Sequence, residues 1–366
     1  MRFTYQNIDF TNGLIMHICT SGEEGENKKN VLLLHGFPEL SFSFRHVMRE
    51  LSKHGFYCIA PDQRGYGKTS YKTHKESYLN KFSVLNLTRD IFVLLKNLGI
   101  KKVNIIGHDF GSYISCYFSL MYPNLVESII IMSMPFGGAP TRNNLKSKDI
   151  SFINGELLKL SPPRKHYQKY FASKEALTNI NNCKQGMFKF LKAYFYFKSR
   201  DYKENKPFEL DSFSALELSK MPEYYIMKQH LGIAETVAEA EPKKDYKLSW
   251  LKDKELKIYS DNFKKSNIKG PLNWYKVMIS NSEKVRIADL KLKKSIKVPA
   301  LFIAGESDWG PYQKPGELDK MTNVFFKNFY GIKIIRNAGH WVQQENSKSC
   351  VKEILNFYKI AKISYI

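Results

Sequence analysis

The stretch "GHDFGS" (Gly107–Ser112) follows directly on the apolar run "VNII". A strand that stops at a G-x-nucleophile-x-G turn lifts the central side chain to the end of a sheet, where it can react. The central residue here is Asp109, a carboxylate rather than a hydroxyl. A carboxylate can attack an alkyl carbon without a general base, and it becomes an ester. Cleaving that ester requires a water activated by a histidine, with a second carboxylate to fix the imidazole tautomer and support its positive form. Two further residues stand at the ends of strand-like runs in the matching chain order. Asp308 follows "LFIAGES" and His340 follows "IKIIRNAG". Glu306, in the same "GESD", is the competing acid. A G-x-D-x-G alone is a weak signal, and so is one histidine after a strand; the three together, in order, carry the weight.

Ester hydrolysis passes through an oxyanion, which needs backbone N–H donors. Phe110, the residue after the nucleophile, supplies one candidate; Phe37, in the "HGFP" turn, supplies the other. The leaving group divides the chemistry further. A halide calls for ring or amide N–H groups, and an epoxide oxygen calls for an acidic O–H. Neither Phe37 nor Phe110 carries a polar side-chain hydrogen. Tyrosines are abundant, 22 in all, so at this level the two reactions stay open.

These residues have to be positioned by a sheet. "NVLLLHGF", "FYCIAPD", "KKVNIIGHD" and "VESIIIMSMPF" read as buried strands, alternating with the helical stretches "FSFRHVMRELSKHG", "KFSVLNLTRDIFVLLKNLGI" and "YISCYFSLMYP". That alternation predicts a mostly parallel, doubly wound α/β sheet, in which ligands gather outside the carboxyl ends of the strands. From about Pro140 to Val285 the strand signals stop and aromatic, Lys-rich helical text takes over. Strand text returns in "VPALFIAGESD" and "IKIIRNAGH", followed by a closing helix "CVKEILNFYKIAK". The expected organisation is a core from residues 1–139 and 286–366 with a helical cap, 140–285, inserted in it.

Composition excludes more than it selects. A hydrophobic content of 43% fits a globular chain. No apolar run approaches the ~18–20 residues that span a bilayer, and the start lacks a charged n-region with an apolar h-region, so the cytoplasm is the expected compartment. The five cysteines, scattered and without a C-x-x-C pair, predict neither a zinc site nor a disulfide framework. The net charge of +22 is mostly lysine spread through runs such as "FKKSNIK" and "KLKKSIK", and it reads as coding bias. No nucleic-acid motif accompanies it. "LKAYFYFK" (Leu191–Lys198) is read as cap core, with contact to a membrane surface as its alternative.

The segments "HGFPELSFSFRH", "APDQRGYGKTS", "IIGHDFGS", "YPNLVESIIIMSMPF", "GPLNWYKVM" and "AGHWVQQE" together resemble the α/β-hydrolase-fold epoxide hydrolases, especially the hydrolase domain of the soluble type. The resemblance spans both core segments and the two ends of the cap. It implies Asp109 as nucleophile, His340 with Asp308 as the water-activating pair, and Phe37 and Phe110 as oxyanion donors. Tyr275 of "NWY" then resembles one of the two cap tyrosines that hold and protonate the epoxide oxygen. Tyr167 in "RKHYQKYF" resembles the other, with Tyr170 as fallback. Pro38, Gln168, Trp274 and Trp341 are implied as substrate-binding residues, and a cis bond is implied before Pro38. The family needs no metal or organic cofactor, and its substrates are small lipophilic epoxides. Phe110 departs from the Trp commonest at that place, which removes the halide-binding N–H of the related haloalkane dehalogenases. The stretch between Tyr170 and Gly270 matches poorly. A dehalogenase-like hydrolase and a small-molecule receptor on the same fold are the alternatives.

Overall fold

The computed structural model describes residues 2–10, 12–25, 29–71, 79–145 and 149–363. The chain opens with two antiparallel strands, β1 (Thr4–Asp9) and β2 (Leu14–Ser21). The runs of branched aliphatic residues then form β3 (Lys29–Leu34), β4 (Phe56–Pro61), β6 (Val103–His108), β7 (Val126–Met132), β10 (Ile296–Gly305) and β11 (Phe326–Ile335), with a two-residue β5 (Ser70–Tyr71) on the side of β2. The order across the sheet is β1-β2-β4-β3-β6-β7-β10-β11, and every pairing from β4 to β11 is parallel. Central strands of such a sheet are covered on both faces. Accordingly all six residues of β4 and of β6 are buried.

Alternation along the strands divides the core into two faces. Val31 and Leu33 of β3 pack with Ile106, Ile130 and Ile303 beneath α1 (Arg45–Lys53) and the closing helix α15 (Ser347–Ile360). Leu32, Leu34, Ile105 and Ile131 face the other way, toward α2 (Val84–Asn97) and α3 (Phe110–Met121). The carboxyl ends of β6, β7 and β10 therefore lie side by side, which is where the sequence places Asp109 and Asp308; His340 follows β11.

Between β7 and β10 the chain is mostly helical: α4 (Ile150–Leu158), α5 (Tyr167–Phe171), α6 (Lys174–Asn181), α7 (Gly186–Phe197), α8 (Ala215–Leu218), α9 (Ile233–Ala240), α10 (Asp253–Ser266), α11 (Lys269–Met278) and α12 (Asn281–Asp289). One expectation fails here. Strand does not vanish from this region, because β8 (Arg164–His166) pairs antiparallel with β9 (Ile226–Lys228). Three residues are too few to show a period of two, and "RKHYQKYF" reads as helix throughout. The same stretch shows why it matters: β8 fixes where α5 begins, and α5 begins with Tyr167. β11 is also longer than expected, starting at Phe326 rather than near Ile332, because its mixed "FKNFYG" lies on a sheet edge. Leu191, Tyr194, Phe195 and Phe197 of α7 are buried, so the aromatic run is core and not a membrane surface. Among the described residues no helix is long and apolar enough to cross a membrane.

Two glycines tie the helical region to the sheet. A Cβ on Gly270, at the start of α11, would lie 2.2 Å from the Gly65 carbonyl oxygen, and Gly65 itself has φ +85°. Only backbone without side chains fits this crossing. It seats α11, and with it Tyr275, over the ends of the strands.

Candidate active site

β6 ends at His108, and the chain turns into α3 through Asp109 with φ 52° and ψ −117°. A non-glycine residue in this region is strained and has to be held there by its surroundings. The hold comes from close backbone contact. A Cβ on Gly107 would sit 2.4 Å from the Gly111 oxygen, and one on Gly36 would sit 2.4 Å from the Asp109 Cβ. The turn thus pushes the Asp109 carboxylate into the gap left by Gly36, where Oδ1 accepts a hydrogen bond from the Phe37 N–H at 3.1 Å. Phe37 precedes a cis bond to the buried Pro38. Phe110 occupies the first turn of α3, where backbone N–H groups have no partner within the helix. Of the two anticipated oxyanion donors, Phe37 thus meets the carboxylate directly, and Phe110 follows it at the start of α3.

His340 lies opposite. Its Nε2 is 3.7 Å from Asp109 Oδ2, and its Nδ1 is 3.1 Å from Asp308 Oδ1. Ser133, at the end of β7, brings its hydroxyl to 2.8 Å from the same Nδ1. Asp308 Oδ1 also accepts from the Gly310 N–H at 2.7 Å. Burial alone would raise Asp308, but the His340 ring and the Ser133 and Gly310 hydrogen bonds outweigh it and hold the carboxyl below its usual range. Burial, reinforced by the Lys198 charge, pushes His340 below the usual imidazole range against the pull of Asp308. The pair is therefore a carboxylate and a neutral imidazole, with N–H at Nδ1 and a lone pair at Nε2. Among the described residues that Nε2 is buried without a hydrogen-bond partner, and it faces Asp109. The competing acid, Glu306, is exposed and accepts from the Asn337 N–H, away from the imidazole.

A second buried pair supports the first. His108 Nε2 donates to the His340 carbonyl at 2.7 Å, and its Nδ1 meets Glu39 Oε2 at 2.6 Å. The other Glu39 oxygen accepts from Gln343 and Gln344. Burial opposes ionisation of Glu39, but the charge and hydrogen bond of His108 win and bring the carboxyl down to about 2. Burial disfavours charge on His108 as well, and Glu39 reverses that and raises it. The two form an ion pair under the His340 loop. Replacing Glu39 by Gln strands a buried charge, and the expected loss is about 3 kcal/mol. The difference from wild type is largest between the unfolded pKa values of a carboxyl and an imidazole, roughly pH 4.5 to 6.5. It shrinks as pH falls toward about 2, where Glu39 takes up its proton, and again as pH rises through the elevated value of His108. Urea melts of both proteins across pH check this.

Aromatic rings gather around Asp109. Tyr275 packs edge-on against Phe37, at 5.3 Å, and Phe110, at 4.8 Å, so it stands over the carboxylate that those residues flank. Among the described residues its hydroxyl has no hydrogen-bond partner. Burial and the nearby Asp109 charge raise it well above an ordinary tyrosine, so it keeps its proton. Tyr167 lies 6.0 Å from the Tyr275 ring and is raised by the same causes. Its hydroxyl donates to Gln313 at 2.8 Å and accepts from Gln168 at 3.1 Å. Tyr170, the fallback, turns away and accepts from the Ile233 N–H. Trp274 sits behind Phe110 and donates to the Arg64 carbonyl; Trp341 sits behind His340 and donates to the Phe195 carbonyl. Both indoles are fixed as walls. A cavity of about 420 Å³ has Gln168 and Gln313, the two partners of the Tyr167 hydroxyl, in its wall beside Met134, Phe136 and Tyr117; Asp109 does not line it.

The family model described as alpha/beta hydrolase fold matches residues 29–160, which contain the Asp109 turn and the sheet strands on either side of it. The chain has the α/β-hydrolase fold. It is 28% identical over 351 residues to epoxide hydrolase 3 of Siraitia grosvenorii, covering 95% of this chain and 96% of that one. It is 27% identical over 362 residues to epoxide hydrolase B of Mycobacterium tuberculosis, covering 94% and 95%. Among solved structures, potato epoxide hydrolase I superposes with a TM-score of 0.74 at 26% identity, over 98% of this chain and 99% of that one.

Within this fold, the structure brings together the side chains of Asp109, Asp308, His340, Tyr167 and Tyr275, with the Phe37 N–H on Asp109. What the motifs did not reveal is the support: Ser133 on Nδ1, the Glu39–His108 pair, Gln313 on Tyr167, and Lys198.

Proposed function

We propose that the chain is an epoxide hydrolase, with residues 1–139 and 286–366 forming the catalytic core and 140–285 the cap. The observation that carries this reading is the arrangement around Asp109. A neutral imidazole faces its Oδ2 at 3.7 Å, while an unpartnered tyrosine hydroxyl stands over the same carboxylate. The epoxide oxygen accepts the Tyr275 proton, and Tyr167 turns its hydroxyl from Gln313 to join it. Asp109 attacks a ring carbon from the opposite side, the C–O bond breaks, and a hydroxyalkyl ester forms on Asp109.

His340 Nε2 then takes a proton from water as the water oxygen adds to the ester carbonyl. Phe37 N–H and Phe110 N–H receive the oxyanion. Collapse breaks the bond between the carbonyl carbon and the alkoxy oxygen, and that oxygen leaves with the proton held by His340. The second proton of the water, left on the Asp109 carboxyl, returns to the Tyr275 oxygen, so the products are a vicinal diol, the original carboxylate and a protonated Tyr275. Asp308 and Ser133 keep the imidazole tautomer throughout.

The polar groups favour an epoxide over a haloalkane. Phe37, Phe110 and Tyr275, packed together beside Asp109, offer one O–H and no side-chain N–H, while the indole N–H groups of Trp274 and Trp341 are committed to carbonyls. The cavity that Gln168 and Gln313 line is apolar along Met134, Phe136 and Tyr117 and receives the body of a lipophilic substrate. Purified protein with a panel of aliphatic and aryl epoxides tests the reading. Diol formation supports it. No diol, together with chloride release from haloalkanes or with tight binding and no turnover, would transfer the site to the dehalogenase or the receptor reading.

A further inference from the structure

Lys198 caps α7 and is 4% exposed. A lysine this deep in a protein is rare unless its charge is answered. Its Nζ lies over four aromatic rings: Tyr225 at 4.9 Å, Trp341 at 5.5 Å, and Tyr194 and Tyr224 at 5.8 Å. Among the described residues it makes no ion pair and no hydrogen bond. Cation–π attraction of this kind strengthens when the cation is desolvated. Its main chain is tied to the catalytic loop, since the His340 N–H donates to the Lys198 carbonyl at 3.0 Å. Gly339 keeps that contact close, because a Cβ there would lie 2.9 Å from the same carbonyl. On the other side, Asn205 binds the carbonyls of Phe197 and Ser199, so the end of α7 is held from both flanks. Trp341, which forms one wall of the cage, is the next residue after His340.

We propose that Lys198 is a positioning residue of the ester-hydrolysis step: its ammonium, caged beside the His340 loop, keeps His340 neutral as a base and offsets the negative charge that builds up when water adds to the Asp109 ester. The inference rests on the reaction proposed above. Burial pushes Lys198 below the usual lysine range, and the charges around it, Asp109, Asp308 and Glu39, favour the ammonium against that cost. Around His340 stand Asp308, which favours imidazolium, and Lys198 and His108, which oppose it. Glu345, on the outer side of the loop, accepts from the Gly339, Trp341 and Arg200 N–H groups, and burial raises it to about 7. The Asp308 carboxylate by itself would make the imidazole easy to protonate. Burial opposes that, and a cation fixed at the same loop adds to the opposition without supplying a proton or a hydrogen bond.

The tests are Lys198→Met and Lys198→Gln, which remove the charge and keep the stem, and Lys198→Arg, which keeps it. The His340 ring is titrated by NMR in histidine-labelled protein, and kcat is measured against pH with an aryl epoxide. In the neutral variants His340 is expected to titrate about one pH unit higher. The acid limb of kcat moves with it, so that turnover one unit below the wild-type midpoint falls about tenfold beyond any change at the plateau. Formation of the ester, followed in a single turnover, changes less than its hydrolysis, and Lys198→Arg restores the limb. An unchanged His340 titration in a folded neutral variant overturns the proposal, as does a uniform loss of rate at every pH. Should no variant and no wild-type protein make diol, the epoxide reading fails, and the NMR titration still decides the role of Lys198.

Discussion

Asp109→Ala is expected to abolish diol formation, with a loss on the order of 10⁴-fold or more, because no other group can form the first bond. The carboxylate is not one contributor among several. Ring opening at an alkyl carbon needs a nucleophile in line with the breaking bond, and the strained turn at φ 52° presents Asp109 alone to that space. The substitution should leave the fold standing. Alanine adds no bulk against Gly36 or Phe37, and the backbone strain it inherits is about 1 kcal/mol. Circular dichroism and a melting curve separate loss of chemistry from loss of structure. Residual turnover above one part in a thousand in a folded Asp109→Ala protein would mean that water, not the carboxylate, opens the ring.

Tyr275→Phe carries the second largest effect, and it distinguishes two tyrosines that motifs alone treat as equivalent. An acidic O–H that protonates the leaving oxygen contributes roughly 10²–10⁴-fold. The hydroxyl of Tyr275 has no partner to give up, whereas Tyr167 must first leave Gln313 and Gln168. Tyr275→Phe is therefore expected to slow ester formation about 10²-fold, and Tyr167→Phe to slow it less. The double variant should fall below both. Stopped-flow measurement of the first turnover isolates this step from hydrolysis. The reverse order, with Tyr167→Phe the more damaging, would show that Gln313 orients the catalytic proton rather than withholding it.

How much of this was legible beforehand follows from the range of each contact. The Asp109 turn is local: two glycines, a nucleophile and an apolar run within a dozen residues specify it. Asp308 and His340 were legible because each ends a strand, and parallel topology then brings strand ends together. The choice of Asp308 over Glu306 came from the family resemblance, because both lie in one turn and spacing alone does not separate them; in the structure Asp308 meets His340 and Glu306 is exposed. Tyr167 and Tyr170 share a single short helix and differ only in which face they occupy, which depends on β8, a strand too short to leave a pattern.

Lys198 was the least legible of all. In a chain with 57 Lys and Arg residues, one more lysine after an aromatic run reads as an exposed helix end. Its burial depends on Tyr224, Tyr225 and Trp341, which arrive from distant parts of the chain. Glu39 was hidden for the same reason. An acid in a turn is ordinarily solvated, and only the approach of His108, Gln343 and Gln344 makes it a buried ion-pair partner.

The most direct test of the central claim is a mass measurement on His340→Gln protein mixed with an epoxide and quenched in acid. The substitution removes the base for the second half of the reaction and leaves Asp109, Tyr167 and Tyr275 in place. The expected result is a protein heavier by the full mass of the epoxide, with the added mass on the peptide that contains Asp109. A protein of unchanged mass that still produces diol, or an adduct on any other residue, would contradict an ester on Asp109 as the intermediate.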